Sequence, residues 1–259
     1  MSVLLVGCGR MGGALAKGWA GREEVAVFDP AAAPLDGTTR LETLEDALQL
    51  PRPLVVVVAV KPQILKEVLS SLRPLADSGA LFISVVAGAT IAGFRESLGD
   101  TVLVARAMPN TPAAIGQGIT AVAAGPGLEA EHCARAAELL GAVGEVVWVE
   151  KERDMDAVTA VSGSGPAYFF RFAEALAQAG ADLGLPPEIA MRLARQTFVG
   201  AAALAVSREE PLEALRQEVT SPGGTTAAAL AAFDQDQVLD RAVGGAVKAA
   251  ARRSEELAS

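Results

Sequence analysis

The stretch Val3-Leu-Leu-Val-Gly-Cys-Gly-Arg-Met-Gly12 joins a short apolar run to a G-x-G-x-x-G turn, and Gly12–Ala20 (GGALAKGWA) continues with helical spacing. Strand, glycine turn and helix in that order form the first βα unit of an open sheet that binds a dinucleotide. Gly7 permits the tight turn, Gly9 lets the backbone approach a pyrophosphate, and Gly12 lets the helix lie close on the strand. The helix start adds amide donors and partial positive charge, so Cys8, Arg10 and Met11 belong to the same candidate phosphate loop. Asp29 stands 17 residues beyond Gly12, at the end of the next apolar run, Val25–Phe28. A carboxylate there accepts from an adenosine ribose 2′-hydroxyl and repels a 2′-phosphate, which leans the cofactor toward NADH over NADPH. Its other use is to shape the turn before Pro30.

Working outward, the pattern repeats. Pro53–Val60 is a continuous β-branched run, as expected of a strand covered on both faces. Pro62–Ala76 has helical spacing, followed by an apolar run at Ala80–Val86, a helix near Ile91–Leu98 and a run at Thr101–Arg106. Runs at Ile119–Ala123 and Val146–Val149 flank a helix at Leu128–Val143. The alternation predicts an α/β first half, a mostly parallel sheet with helices on both faces. After about Lys151 no β-branched run follows. Pro166–Gly180, Pro187–Val206, Pro211–Glu218, Thr225–Phe233 and Val238–Glu256 read instead as Ala/Leu-rich helices.

The bulk properties exclude several classes. A net charge of −9 with no basic run leaves no footprint for nucleic acid. Apolar runs such as Leu54–Val60 and Phe198–Val206 fall short of the roughly 20 residues of a membrane span. The N-terminus enters an apolar run with no basic leader, so neither a membrane nor a secretory role is expected. Two cysteines, Cys8 and Cys133, make no disulfide ladder, which fits the cytoplasm. The mean hydropathy of +0.34 and the Ala-rich second half predict a homodimer formed through residues after about 160.

Four further segments stand at strand ends or helix starts: Ala59-Val-Lys-Pro-Gln63, Arg106-Ala-Met-Pro-Asn-Thr-Pro112, Val161-Ser-Gly-Ser-Gly-Pro-Ala-Tyr168 and Val219-Thr-Ser-Pro-Gly-Gly-Thr-Thr226. With the opening glycines they resemble the pyrroline-5-carboxylate reductase family, from about residue 3 to 255. The resemblance implies a Rossmann-type dinucleotide-binding domain over 1–155 and an all-α dimerisation and substrate-binding domain over 156–259. It also implies reduction of a cyclic imino acid with NAD(P)H, and dimers that assemble into larger rings. Family members commonly carry Gly where this chain has Ala229, a change that favours the helix.

Hydride chemistry belongs to the cofactor, and the protein supplies binding, orientation and charge. Ser221-Pro-Gly-Gly-Thr-Thr226 opens a helix. The amides of Gly224 and Thr225 with the Ser221 hydroxyl, next to Gly223, suit a carboxylate, or Ser and Thr serve as plain helix caps. The family implies that Thr226 hydrogen-bonds the ring nitrogen. Ala59, Val60, Lys61 and Pro62 follow a strand end, where open α/β sheets bind ligands, and Asn110 is a candidate for the same cleft. His132 reads as a surface-helix residue and Tyr168 as helix packing. There is no metal-ligand cluster. A protonated imine is already electrophilic and asks for no strong side-chain acid. Two other functions fit the glycine turn: a related imine or β-hydroxyacid-type reductase, and a non-catalytic NAD(P)-binding regulator. The helices at 166–180 and 187–206 carry no lysine for the former, and a regulator has no need of a carboxylate site.

Overall fold

The structure is a computed structural model and describes residues 2–258. The chain divides into two compact units, Met1–Ser164 with Ala250–Ser259, and Gly165–Ala249.

Among the described residues the first unit holds eight strands in one sheet. They are β1 (Ser2–Val6), β2 (Glu24–Phe28), β3 (Thr38–Arg40), β4 (Leu54–Val58), β5 (Leu81–Ser84), β6 (Leu103–Met108), β7 (Gly118–Ala124) and β8 (Gly144–Val149), in the spatial order β3-β2-β1-β4-β5-β6-β7-β8. The helices between them are α1 (Arg10–Trp19), α2 (Leu65–Asp77), α3 (Ile91–Leu98) and α4 (Ala130–Gly141). The strand order reverses direction between β1 and β4, which sets the ligand crevice at the carboxyl ends of these two strands.

Strand periodicity divides the core in two. Val3 and Leu5 of β1 join Leu15, Ala16 and Trp19 of α1 and Leu139 and Leu140 of α4 on one face. Leu4 and Val6 join Leu69 and Leu72 of α2 and Phe94 of α3 on the other. Trp19 is fully buried, and its indole N–H donates to the Leu139 carbonyl at 2.7 Å, so the largest core side chain leaves no orphan donor.

Two strands, β7 and β8, run against the other six. β7 runs antiparallel to β6, with Met108 opposite Ala121, whereas β7 and β8 are parallel again. Residues 109–117 hold only a short 3₁₀ helix, Thr111–Ile115, too little chain for a crossover to a parallel neighbour. β3 and the 3₁₀ helix Glu45–Gln49 were not expected from the sequence. Their three- and five-residue lengths are too short to show a period.

The change to helix comes after Val149, close to the expected domain boundary at 155/156, but the compact units part later. α5 (Met155–Val158) and the π-helix Thr159–Gly163 belong to the first unit, because Met155 is fully buried in the sheet's core. Ser254, near the end of the chain, donates to Asp156 Oδ1 at 2.7 Å within the same unit.

The second unit is helical: α6 (Gly165–Asp182), α7 (Pro187–Ser207), α8 (Leu212–Glu218), α9 (Thr225–Asp234) and the larger part of α10 (Val238–Ala258). α6 and α7 pack on each other, and Phe198 meets Phe169 and Phe170 at centroid distances of 6.0 and 6.4 Å. Those two phenylalanines nonetheless remain 60% and 57% exposed, and Leu193, Val199 and Val206 are also open. An apolar surface this continuous calls for a cover. Among the described residues α7 alone is long and apolar enough, by length and composition, to cross a membrane.

A charged clamp closes the first unit. Arg135 of α4 holds Glu23 in a two-pronged pair, Nη1 on Oε1 at 2.8 Å and Nη2 on Oε2, with both side chains 13% exposed. The Arg135 guanidinium holds the Glu23 carboxyl below its ordinary value of 4.5. A lowered folded-state pKa contributes stability above the unfolded value, and that stability is lost as pH falls through the folded one. Glu23→Gln is therefore expected to cost about 1–2 kcal/mol at pH 7. The gap in Tm between wild type and variant, followed by calorimetry, should be constant from pH 6 to 8 and close below 4.5. A gap that does not narrow at all as pH falls below 4.5 would mean the contact works by packing and not by charge.

Candidate dinucleotide and carboxylate sites

The glycine turn leaves β1 at the strand-order reversal. Gly7 has φ +91, and its N–H donates to the Phe28 carbonyl at 2.9 Å. A Cβ on Gly7 would stand 2.8 Å from the backbone of Ala59, and one on Gly12 would stand 2.2 Å from the Gly7 carbonyl oxygen. Both contacts are with backbone, so neither can relax by a rotamer change. Around the position of a Cβ on Gly9, by contrast, there is open space out to 4 Å. Gly9 is the N-cap of α1, and the first α1 amide bonded back into the helix is that of Gly13, to Gly9 at 2.8 Å. The amides of Arg10, Met11 and Gly12 are first-turn donors without an intrahelical acceptor. An open backbone surface at Gly9 beneath a row of such donors fits a pyrophosphate.

The structure brings Ala59 and Val60 against this loop, and Ala59 N–H donates to the Val6 carbonyl at 2.8 Å. Lys61 and Pro62 follow at the β4 carboxyl end, where exposed Lys61 precedes the 3₁₀ helix Pro62–Ile64. Beside the loop opens a cleft of about 360 Å³ lined by Cys8, Gly9, Arg10, Lys17, Ala33 and Ala114. Lys17, Ala33 and Ala114 are absent from the sequence-derived set. Lys17 lies two turns along α1 from Arg10, a spacing readable from helical period alone, while Ala33 and Ala114 come from connections that carry no motif.

Asp29 ends β2 beside the loop and is already engaged. Its Oδ2 accepts from the Cys8 amide at 2.6 Å, and Oδ1 accepts from Ala31 and Ala32 at 2.9 and 3.1 Å. Burial works to raise its pKa, but the three amides and Arg40 outweigh it and hold the carboxyl below the usual aspartate range. Asp29 is thus a fixed anion that shapes both the turn before Pro30 and the glycine loop. Burial, and then the Asp29 charge, push the Cys8 thiol pKa up, so Cys8 is a protonated, unreactive side chain.

Asn110 does not reach into the loop. Its side chain is 9% exposed; Oδ1 accepts from the Ile119 amide at 3.0 Å, and Nδ2 donates to the Ser162 carbonyl at 3.3 Å. His132 has a structural task as well: Nδ1 accepts from the Glu129 amide at 3.1 Å, completing a capping box at the start of α4.

The Ser221–Thr226 segment lies in the second unit. Gly223 has φ +70, and a Cβ on Gly224 would fall 2.3 Å from Ser221 Oγ. The Gly224 amide donates to the Ser221 carbonyl at 3.0 Å. This corrects its place in the expected carboxylate site: it closes the turn, and the free first-turn donors begin at Thr225. The N-cap of α9 is Gly224 itself, with no side-chain cap, so Ser221 and the threonines are not plain caps.

Comparison with known proteins places these features in context. Residues 152–257 match the family model described as pyrroline-5-carboxylate reductase dimerisation, and residues 2–88 match one described as NADP oxidoreductase coenzyme F420-dependent. The chain is 41% identical to a pyrroline-5-carboxylate reductase of Pseudomonas aeruginosa, covering 99% of this chain and 96% of that one. It is 37% identical to that of Pisum sativum, covering 97% and 94%. Among solved structures, a pyrroline-5-carboxylate reductase from Coxiella burnetii superposes with a TM-score of 0.92 at 34% identity, covering 100% of this chain and 98% of that one. The Plasmodium falciparum enzyme with NADP bound gives 0.84 at 29% identity, over 100% and 98%.

The loop geometry makes a sharp prediction. Gly12→Ala drives a methyl into the Gly7 carbonyl and should raise the dinucleotide Kd at least 30-fold, measured by nicotinamide fluorescence. Gly9→Ala meets no protein atom and should fold normally, its loss confined to dinucleotide affinity. Wild-type affinity in both variants would remove the loop from the site.

Proposed function

The chain belongs to the pyrroline-5-carboxylate reductase family, and on that premise we propose that it reduces 1-pyrroline-5-carboxylate to L-proline with NAD(P)H, the closing step of proline biosynthesis. The observation that carries this is similarity running the whole length of the chain, so that the glycine turn and the Ser221–Thr226 turn occur together in one protein.

A bound dinucleotide supplies the hydride. The first-turn amides of α1 hold its pyrophosphate, and Ala59–Pro62 border it at the β4 end. Ser221 and the Thr225 amide take the substrate carboxylate, and Thr226 takes a hydrogen bond at the ring nitrogen. The C=N carbon gains hydride while the nitrogen retains its proton, so no side chain has to deliver one. The open faces of α6 and α7, inside the segment matched to a dimerisation model, are covered by a second copy in a homodimer. Dimers assembling into a ring are consistent with the same family. A free Cys8 and Cys133 suit a cytoplasmic enzyme.

Asp29 favours NADH. A carboxylate pinned in its ionised form at the end of β2 opposes a 2′-phosphate. NADH should be used at least as well as NADPH. Asp29→Ser should move the ratio of the two kcat/KM values toward NADPH by about fivefold, the equivalent of roughly 1 kcal/mol. The ratio cancels any loss that both cofactors share when the Cys8 amide loses its acceptor. A strong wild-type NADPH preference that the substitution leaves in place contradicts this role.

Thr226 should act through one hydrogen bond to a charged partner, a contribution of about 1.5–3 kcal/mol. Thr226→Ala is expected to lower kcat/KM for 1-pyrroline-5-carboxylate by about 10- to 150-fold. Ser221→Ala should mainly raise KM, because the carboxylate is held alike in ground and transition states. Dinucleotide Kd should be unchanged in both. Full kcat/KM in Thr226→Ala would place the imine elsewhere.

A further inference from the structure

The π-helix Thr159–Gly163 is an irregular element among otherwise α and 3₁₀ helices, and it sits against the carboxyl end of β6: a Cβ on Gly163 would lie 2.8 Å from Met108 Cε. Single π turns recur at functional sites because the wider turn redirects the backbone. Here the element stands at the carboxyl rim of the sheet, the side on which open α/β sheets act on ligands. What fastens it there is Asn110, two residues beyond β6. The amide uses both ends, accepting from Ile119 N–H at the start of β7 and donating to the Ser162 carbonyl inside the π turn. Nothing in this set of bonds touches the glycine loop.

We propose that Asn110 is a positioning residue for the reduction: it holds the π-helix against the carboxyl end of β6, and it does not contact the dinucleotide. The proposal rests on the reductase function above and adds to it a residue whose side chain acts through Ser162. The Asn110 amide presents its acceptor and its donor on two separate atoms without charge, and so meets the Ile119 N–H and the Ser162 carbonyl together; a serine hydroxyl carries both functions on a single oxygen at the end of a shorter side chain. Aspartate keeps the acceptor for Ile119 but turns an anionic oxygen toward the Ser162 carbonyl.

Asn110→Asp is therefore the informative variant. Relative to wild type at each pH, its kcat should fall at least tenfold at pH 8, with dinucleotide Kd by fluorescence within threefold. The deficit should shrink toward pH 5.5, as the acid form regains a proton to donate to Ser162. A deficit that does not change with pH overturns the clamp, as does a Kd that rises as far as kcat falls, which would return Asn110 to the cofactor. If the buried carboxylate prevents folding, the uncharged and shorter Asn110→Ser must give the same split between kcat and Kd, and an unchanged kcat there overturns the proposal. Amide hydrogen exchange across residues 159–164 needs no turnover: faster exchange in the folded variant supports the clamp, and unchanged protection sinks it. The wild-type rate with 1-pyrroline-5-carboxylate tests the function separately.

Discussion

The Gly7 carbonyl oxygen leaves no room for a Cβ at position 12, and much of the first unit follows from that close approach. Because α1 starts this near to β1, its apolar face settles on the sheet with Leu15, Ala16 and Trp19 buried, and its first-turn amides face the carboxyl ends of β1 and β4. The same crowding fixes Gly7 against Ala59, so the loop is braced by the neighbouring strand as well as by its own helix. A loop built from backbone contacts has no rotamers to reorganise when an anion arrives, and its donors are oriented beforehand.

Polar side chains then tie the connections to that frame. Asp29 joins the β2 end to the loop through the Cys8 amide, and Asn110 joins the β6 end to β7 and to the π-helix. Glu152 Oε1 accepts both from Arg106 Nη1 at 3.1 Å and from the Ile91 amide at 2.7 Å, which neutralises a nearly buried arginine and supplies an acceptor to the start of α3. In each case the partner on one side is a backbone amide that the regular elements leave unsatisfied. An unmet buried group costs more than a typical hydrogen bond contributes, so these ties act chiefly by preventing loss.

Legibility in the sequence followed the physics of each element. β1, α1, β4, α3 and the five helices of the second half announce themselves by period and by Gly or Pro punctuation, and they stand within a few residues of where the sequence put them. β3 is too short for a period, and the antiparallel turn of β7 depends on the length of a connection, which a hydrophobic pattern does not encode. Asp29 and Asn110 were visible as site candidates because residue type and strand-end position are local signals. Their partners are not: the amides of Cys8, Ile119 and the Ser162 carbonyl are 21, 9 and 52 positions away and are chosen by the fold. The Gly224 amide was read as free because its partner, three residues back, depends on a turn type that the glycine pair allows but does not dictate.

The distribution of charge and proton chemistry is consistent with the reaction. The chain's one histidine completes a helix cap, its loop cysteine is held as a thiol, and its best-placed carboxylate is locked as an anion by three amides. Neither the thiol nor the carboxylate is poised near neutral pH, as a general acid should be, and the imidazole is committed to its cap. For a ketone that would be a defect, since an alkoxide develops and needs a proton. For a cyclic iminium the positive charge is present at the outset and is discharged by the hydride, so the protein's task is to hold a carboxylate and a nitrogen in place. Two helix starts, at Arg10 in the first unit and at Thr225 in the second, each present first-turn amides without an intrahelical acceptor. Both segments are rich in glycine, serine, threonine or proline, residues that set the path of the main chain and leave its amides at the surface of a turn.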